Sequence, residues 1–429
     1  MRSVQRLLLF KSPARLSLIG GVLVITVLAG LLGHYRVGLL TFRNPVAEHA
    51  PASKASAVDG LRAVEMLKEL PDESATVPRS AGDVREEMRR LAEWLKRWYP
   101  DAADAGIISG RLCYHLGEMD AAEEAFQSVL RLDSDNVHAH HGLALIDVAR
   151  SRFEQAVPHF RRAVALSPGT IGPMLELADA LIRTGRIDEA VELLEKDFPS
   201  ELESVWRFQM LGQCYLHRGD LRRARMMYEL ALLLEPDDPV ALTGLVTVFS
   251  RLDDDEQTAI YTERLRRVRE REREAARQTR RTHDDATALA GKLAEAYVAA
   301  GRFCLVQGDD KPAERLLLRA LGLRPDDGEA HGDLAELFLN RGDRRNEAVV
   351  HAEAAASALR DATTNLLLAR AYDAAGRSQE ALEAVRRALA GGERRADAFA
   401  LYRRLTESRP QDAPGNRYSE VSAGFSERP

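Results

Sequence analysis

The chain has 429 residues and a formal net charge of -6 at pH 7, with 60 basic and 66 acidic side chains. A single hydrophobic core seldom organises a chain of this length, so either several domains or an array of repeats is expected. So mild a charge gives no reason to expect a polyanion as the partner of the whole molecule. Only 6% of the residues are aromatic, while alanine, leucine, arginine and glutamate are abundant, which favours an all-helical chain.

A long apolar run lies near the start of the chain. Between Leu16 and Tyr35 no acidic or basic side chain occurs apart from His34. Twenty helical residues span about 30 Å, the thickness of a bilayer core. Basic residues at positions 2, 6, 11 and 15 precede the run, which predicts that residues 1–15 stay in the cytoplasm. Residues 16–35 are therefore predicted to be a transmembrane signal anchor.

A cleaved secretory signal is the alternative interpretation of the same run. Val27, Leu28 and Ala29 form an acceptable cleavage site, but apolar residues continue beyond it. Both interpretations place the rest of the chain outside the cytoplasm. The anchored form predicts a single-pass protein of the bacterial inner membrane, with its C-terminal part in the periplasm or outside the cell.

Two segments separate the apolar run from the first regular pattern. Residues 36–60 include a stretch rich in alanine, serine and proline and are predicted to be a linker. Residues 61–102 contain two amphipathic patterns, one that stops at Pro71 and one that has apolar residues at helical spacing from Met88 to Trp98. We expect these two helices to form an N-terminal cap with one face toward solvent.

From residue 103 onward, small residues recur at a fixed period. Alanine occupies positions 122, 156, 190 and 224, each 34 residues after the last. Glycine occupies positions 117, 185 and 219 in the same frame, and positions 308, 342 and 376 form a second run with that period. A small alanine lets two helices approach closely, and glycine ends a helix in a left-handed conformation. The period therefore predicts helix-turn-helix repeats.

The 34-residue period is interrupted once along the chain. Ala224 and Ala313 are 89 residues apart, which is two periods of 34 plus 21 residues. An arginine-rich run coincides with this interruption and is predicted to be a charged helical insert at 262–285. The remaining predicted boundaries are 103–261 for a first sub-array, 286–405 for a second sub-array with a capping helix, and 406–429 for a disordered tail.

The unit Val205–Asp238 shows which residues occupy the packing places of a repeat. Its first helix has Phe208, Leu211, Gly212 and Tyr215, and its second part has Ala224, Tyr228 and Pro236. At this spacing the unit resembles the tetratricopeptide repeat (TPR) family. The resemblance implies an all-α fold, a TPR-like α-solenoid of about eight helix-turn-helix repeats, here behind one N-terminal transmembrane helix.

In TPR proteins the first helices of successive repeats line a concave groove. The resemblance implies that the second, fifth, ninth, twelfth and thirteenth places of a repeat face this groove and contact a protein or peptide partner. Some relatives grip a chaperone C-terminus with lysines and asparagines at these places, but here the ninth places of the first four repeats carry neither residue. The candidate groove residues are Arg111, Tyr114, His115, His138, His141, Asp179, Arg183, Gln213, His217, Arg302, Glu336 and Arg370.

The sequence contains no phosphate-binding loop and no catalytic motif, so we expect neither an enzyme nor a bound cofactor. His138 and His141 could share a face with His115, but no carboxylate or thiol completes a metal site, and none is predicted. A pH-responsive binding patch is the other hypothesis for this histidine group.

The three cysteines, at positions 113, 214 and 304, are far apart and form no zinc or redox motif. They are predicted to be buried structural thiols.

Together these features predict a membrane-anchored TPR scaffold that binds a protein partner through its concave groove and supports assembly of an envelope complex. The alternative function is an accessory subunit that binds a small ligand, glycan or metal for a partner enzyme. Nucleic acid is not expected as a partner outside the cytoplasm.

Overall fold

The computed structural model describes residues 57–71, 78, 80–197, 204–279, 285–393 and 395–407. The predicted signal anchor, the basic segment before it, and most of the linker and of the tail lie outside these residues. The described residues form nineteen α-helices and no β-strand. None of these helices is long and apolar enough to cross a membrane.

Most of the helices follow one another as pairs joined by short turns. The eighth helix is short and continues as a π-helical turn at Leu193–Asp197. The helices are α1 (Ala57–Glu69), α2 (Ala81–Trp98), α3 (Ala103–Leu116), α4 (Met119–Leu132), α5 (Val137–Ala149), α6 (Phe153–Leu166), α7 (Ile171–Arg183), α8 (Ile187–Glu192), α9 (Val205–His217), α10 (Leu221–Leu234), α11 (Pro239–Arg251), α12 (Asp255–Thr279), α13 (Asp285–Gln307), α14 (Asp310–Leu323), α15 (Gly328–Arg341), α16 (Arg345–Leu359), α17 (Ala362–Ala374), α18 (Ser378–Ala390) and α19 (Ala396–Glu407).

The turn inside each pair has a left-handed residue at the place that the period predicts. Gly117, Gly185 and Gly219 have φ angles of 78°, 75° and 73°. Ser151 and Asp253, which occupy the glycine place in their own repeats, still adopt φ angles of 59° and 54°. The backbone therefore keeps the frame even where a side chain makes the conformation costly. In the second run the left-handed residues are Gly308, Gly342 and Gly376.

Glycines on the first helices let aromatic rings of the second helices fill the space between repeats. A Cβ atom on Gly212 would lie 2.7 Å from the ring of Tyr228, and one on Gly244, in the next repeat, would lie 2.3 Å from it. Phe126 is placed in the same way between Gly110 and Gly142. Because the rings occupy these positions, they set how closely consecutive first helices approach.

The described residues form two compact units, whose bounds differ from the predicted sub-arrays. One unit consists of Ser151–Val268, and the other combines residues 57–150 with residues 269–407. We call them the middle unit and the composite unit. The boundary after Val268 falls inside α12. The predicted sub-array boundaries were based on the repeat spacing alone, and they stay a prediction.

In the composite unit, helices from the start of the chain pack on helices from its second half. Helix α13 contacts α2 and α3, and α14 contacts α1. The first helices of this unit therefore contact one another in the spatial order α5, α3, α13, α15, α17, which is not their order along the chain. The helices predicted as a cap with one face toward solvent bury part of their surface here.

A buried ion pair joins the two parts of the composite unit. The guanidinium of Arg319 on α14 donates to both carboxylate oxygens of Glu87 on α2, at 2.7 and 2.9 Å. The hydroxyl of Tyr297 on α13 donates to the same carboxylate at 2.8 Å. Exposure is 2% for Arg319, 9% for Glu87 and 0% for Tyr297. Both oxygens of the Glu87 carboxylate thus accept from buried donors of the protein.

Further contacts surround this triad. Tyr99 donates to the carboxylate of Asp309, and its ring packs edge-on against Phe303 with centroids 4.7 Å apart. The guanidinium of Arg315 donates to the backbone oxygen of Leu67 at 2.9 Å. Residues before 100 and after 300 therefore share one hydrophobic core.

The residues that interrupt the repeat frame lengthen two helices. Helix α12 has 25 residues and extends past the usual second-helix length, and α13 has 23 residues and begins before the repeat frame resumes at Ala294. Part of the predicted insert, at 280–284, lies outside the described residues. The extension of α13 adds residues 285–293 to the composite unit.

We expect Gly219→Ala to destabilise the middle unit by about 1–2 kcal/mol, because alanine at positive φ brings Cβ close to the carbonyl oxygen. Gly172→Ala is the matched control: a Cβ atom added to either glycine would meet open space, but only Gly219 has positive φ. The control is expected to be neutral or to stabilise by up to about 1 kcal/mol. Urea unfolding followed by circular dichroism measures both changes, and equal effects would contradict the assigned turn.

We expect Glu87→Leu to destabilise the composite unit by about 3–5 kcal/mol, because Arg319 is left buried without a counter-charge. The double variant with Arg319→Met should recover part of that loss. Urea unfolding can be followed by fluorescence in a Trp206→Phe background, where Trp94 and Trp98 on α2 are the remaining tryptophans.

The neighbouring Glu86→Gln is the control for this cycle. Glu86 pairs with Arg89 and Arg90 at the surface, with 53% of its side chain exposed, so its loss should cost less than about 1 kcal/mol. If Glu87→Leu cost no more than this control, the triad would not hold the composite unit together.

Candidate functional site

The candidate groove residues lie on the first helices of both units. In the composite unit they are on α3, α5, α13, α15 and α17, which follow one another in space. In the middle unit they are on α7 and α9, which contact each other. That these faces bind a partner stays a prediction. The composite unit carries Arg111, Tyr114, His115, His138, His141, Arg302, Glu336 and Arg370, and the middle unit carries Asp179, Arg183, Gln213 and His217.

Several of the candidate residues pair with each other or with neighbours on the same face. On α7, Arg183 donates to Asp179 at 2.7 Å, and its guanidinium lies 5.0 Å from the centroid of the Phe153 ring. Arg370 on α17 pairs with Glu336 on α15 at 3.3 Å. These pairs link residues four apart on one helix, or the same place in consecutive repeats. Each of these arginines therefore has an acidic partner on the same face.

Arg302 is the most firmly held of the candidate arginines. It donates to Asp333 at 2.6 Å and to Glu329 at 2.8 Å, both on the neighbouring helix α15. Burial raises the pKa of Asp333 to about 6, although the Arg302 guanidinium acts to lower it. The acidic partners in turn raise the pKa of Arg302 against the effect of burial. This group joins α13 to α15.

Gln213 and His217 on α9 are both exposed. They lie one helical turn apart, beside the buried Tyr215 whose hydroxyl donates to Glu195. Both side chains are therefore accessible on the face of the middle unit.

Arg111 lies in a group of basic and titratable side chains from three helices. Burial lowers the pKa of Arg111, and only Glu295 on α13 offsets this effect. Burial also lowers the pKa of His115, and Lys292 and Arg111 lower it further. The pKa of His138 on α5 is lowered by burial, by Arg111 and by His141. Arg111 and His115 lie one turn apart on α3, which contacts α5 and α13. Arg111, His115, His138, His141 and Lys292 are near enough to affect one another's pKa.

Lys292 was not among the predicted groove residues. It lies in the N-terminal extension of α13, before the residues that fit the repeat frame. Its ammonium group lies 3.3 Å from the carboxylate of Glu295, and that carboxylate also lies 4.0 Å from the guanidinium of Arg324. Sequence reasoning missed Lys292 because the extension has no counterpart in the other repeats.

A histidine pair on α15 and α16 was also missed. The Nε2 atom of His331 lies 3.0 Å from the carbonyl oxygen of Pro325 and therefore donates to it. Nδ1 of His331 then accepts from Nδ1 of His351, 2.8 Å away. Burial, His331 and Arg344 lower the pKa of His351 to about 4. This pair occupies inward-facing places of its repeat, so it belongs to the packing between the two helices.

The described residues contain no group of three or more histidine, cysteine or acidic side chains that could hold a metal ion. Cys113, Cys214 and Cys304 are buried and form no disulfide. Burial raises the pKa of Cys214 and of Cys304 to about 12, so both thiols stay protonated at neutral pH.

Comparison with known proteins gives the repeats their family. Sequence models of the tetratricopeptide repeat match residues 81–137, 147–201, 208–238 and 364–387. The Protein CTR9 homolog of Arabidopsis thaliana is 29% identical over 139 residues, which are 32% of this chain and 10% of that protein. The Cellulose synthase operon protein C of Pseudomonas fluorescens is 26% identical over 153 residues, 34% of this chain and 12% of that protein. The chain thus spans about a tenth of the length of these relatives.

Solved structures of other repeat proteins also resemble parts of the chain. PilW, a type IV pilus biogenesis factor, has a TM-score of 0.38 at 17% identity, over 50% of this chain and 93% of that one. YrrB, a TPR protein with an unusual peptide-binding site, has a TM-score of 0.37 at 16% identity, over 41% of this chain and 91% of that one. The matched sequence models and the paired helices at a period of 34 residues identify these four stretches of the chain as tetratricopeptide repeats.

Proposed function

We propose that this protein is a membrane-anchored TPR scaffold, which binds a protein or peptide partner on its first-helix faces and supports assembly of an envelope complex. The observation that carries this proposal is the continuous face of five first helices in the composite unit. TPR proteins generally use such a face to bind extended peptides or partner helices.

The proposed anchor is the apolar run at residues 16–35, which lies outside the described residues. Its length and the basic residues before it support a single-pass topology, with the repeats in the periplasm or outside the cell. The alternative function, an accessory subunit for a small ligand, glycan or metal, depended on the histidine group. Those histidines lie beside Arg111, whose positive charge disfavours a bound cation.

Photo-crosslinking tests the binding face. A benzoylphenylalanine at Gln213 or Glu336 is expected to form a defined adduct with one partner in intact cells, since both side chains are exposed on first helices. Arg222 and Glu383 are exposed on second helices of the same two units and are the matched control positions. Adducts of equal yield at the control positions would contradict binding through the first-helix faces.

A reporter fusion tests the anchor and the topology. Alkaline phosphatase fused after Pro429 is expected to be active, because the enzyme acquires its disulfides only outside the cytoplasm. Deletion of residues 16–35 should abolish that activity. An inactive fusion to the full chain, together with an active cytoplasmic reporter at the same position, would reverse the proposed topology.

A further inference from the structure

We propose that helix α10 of the middle unit pairs with the same helix of a second copy of this chain, and that the two helices run antiparallel. The surface is an apolar stripe formed by Met226, Leu230 and Leu233, with a basic group at one end and an acidic turn at the other. Because α10 is a second helix, this surface lies apart from the proposed binding face on the first helices. The inference therefore goes beyond the proposed function.

The first argument is the exposure of apolar side chains on one side of α10. Tyr228 and Ala231 are buried against the rest of the repeat. Met226, Leu230 and Leu233 have the spacing i, i+4 and i+7, so they share a side of the helix that points away from these two residues. Met226 is 50% exposed and Leu233 is 77% exposed, while Leu230 is partly buried. The apolar surface of the stripe is thus left in contact with solvent.

The repeat register does not account for these apolar side chains. The residues at the same three places one, two and three periods earlier are Glu192, Lys196 and Pro199, then Pro158, Arg162 and Ala165, and then Glu124, Ser128 and Arg131. Since each of these sets contains at least one charged residue, the packing of a repeat does not require methionine or leucine there. An exposed apolar stripe is therefore a property of α10 in particular, and such a surface indicates a binding site.

The second argument is the order of charges along α10. A helix is stabilised by acidic groups near its N-terminus and by basic groups near its C-terminus. The other second helices from α4 to α18 have an acidic residue in the first turn. Helix α10 instead begins with Arg222 and Arg223, has no basic residue in its last turn and is followed by Glu235. Asp220 caps the helix and pairs with Arg223 at 3.4 Å, but the order of charges along the helix still opposes its dipole.

An antiparallel second copy accounts for both the stripe and the order of charges. The midpoint of the stripe lies between residues 229 and 230, so a twofold axis there would place Met226 beside Leu233 of the other copy. Leu230 would lie next to the axis. Arg222 would then lie near Glu235 of the other copy, and the N-terminus of each helix dipole would meet the C-terminus of the other. The surface is therefore complementary to itself in apolar contact and in charge.

The charges also favour a second copy over an anionic lipid surface. Arg222 and Arg223 suit lipid phosphates, but Glu235 and Asp237 are both exposed at the other end of the stripe. An anionic surface that touched the whole stripe would meet these carboxylates, which would weaken its binding. The stripe requires a partner whose charges run in the reverse order, and an antiparallel copy of α10 has that order.

Sedimentation equilibrium of the full-length chain in density-matched detergent tests for this dimer. The wild type is expected to dimerise at micromolar concentration, because two helices of this length bury less than the roughly 1,600 Å² of a standard interface. Leu233→Glu should raise the dissociation constant about tenfold or more, since it places a carboxylate in the apolar contact. Val306→Glu, on α13, is the matched control: Val306 is also 77% exposed, and its substitution should change the dissociation constant by less than about twofold.

An exchange of charges tests whether the dimer pairs α10 with itself. Arg222→Glu and Glu235→Arg each bring like charges together at both ends of the interface, and each should raise the dissociation constant about threefold or more. The double variant exchanges the two charges and should return to within about twofold of the wild type. A dimer formed through another surface gives no such recovery.

Disulfide crosslinking tests the antiparallel geometry. Leu230→Cys is expected to give a covalent dimer under mild oxidation, because the two introduced cysteines would lie beside the axis. Leu233→Cys should give much less, since its neighbour in the other copy would be Met226. The native cysteines are buried, so they should not contribute to the crosslink.

A wild-type chain that stays monomeric at about 100 μM would overturn the proposal. So would a dimer that Leu233→Glu does not weaken, an exchange of charges that restores nothing, or equal crosslinking by Leu230→Cys and Leu233→Cys. Circular dichroism melting curves that match the wild type would show that the variants fold. The proposed function fails separately, when Gln213 and Glu336 give no crosslink to a partner. A crosslink from Arg222 to a second copy of this chain is expected, and its mass distinguishes it from an adduct with that partner.

Discussion

The ion pair between Glu87 and Arg319 is the contact on which the composite unit depends. Its partners are 232 residues apart in the chain, and Tyr297 completes the hydrogen bonding of the same carboxylate. A buried charge pair of this kind adds little stability over an apolar contact of equal volume, but removing one partner is expensive. The triad therefore joins α2 to α13 and α14, and the loss of one partner would leave a buried charge unpaired.

The packing around this contact changes the order in which the first helices line the proposed binding face. A chain of repeats normally stacks in sequence order, since each repeat packs only on its neighbours. Here α2 packs against α13, and the first helices follow one another as α5, α3, α13, α15 and α17. An extended peptide on this face would meet residues near position 140 first, then those near 111, and then those beyond 290. Its order of contacts would follow the packing of the helices.

The repeats were predictable because their signals are local. Alanine at 224 and glycine at 219 mark one pair of helices, and the left-handed φ of Asp253 shows that the period continues even where the glycine is missing. The position of the groove residues on the first helices followed from the same register. The contact of Glu87 with Arg319 could not be predicted in this way, because α2 has the pattern of any amphipathic helix and no period relates it to α14. Lys292 was missed for a related reason, since it lies on residues that interrupt the frame.

The arginines at one place of the first helices have different neighbours in different repeats. These neighbours are known only from the structure. Arg302 and Arg370 occupy the same place in different repeats, and each meets an acidic residue supplied by the adjacent first helix. Arg111 occupies that place too, but the first helix beside it is α13, which carries both Lys292 and Glu295. The unusual packing of the N-terminal helices thus places Arg111 of the first repeat beside a helix that is not its neighbour in sequence.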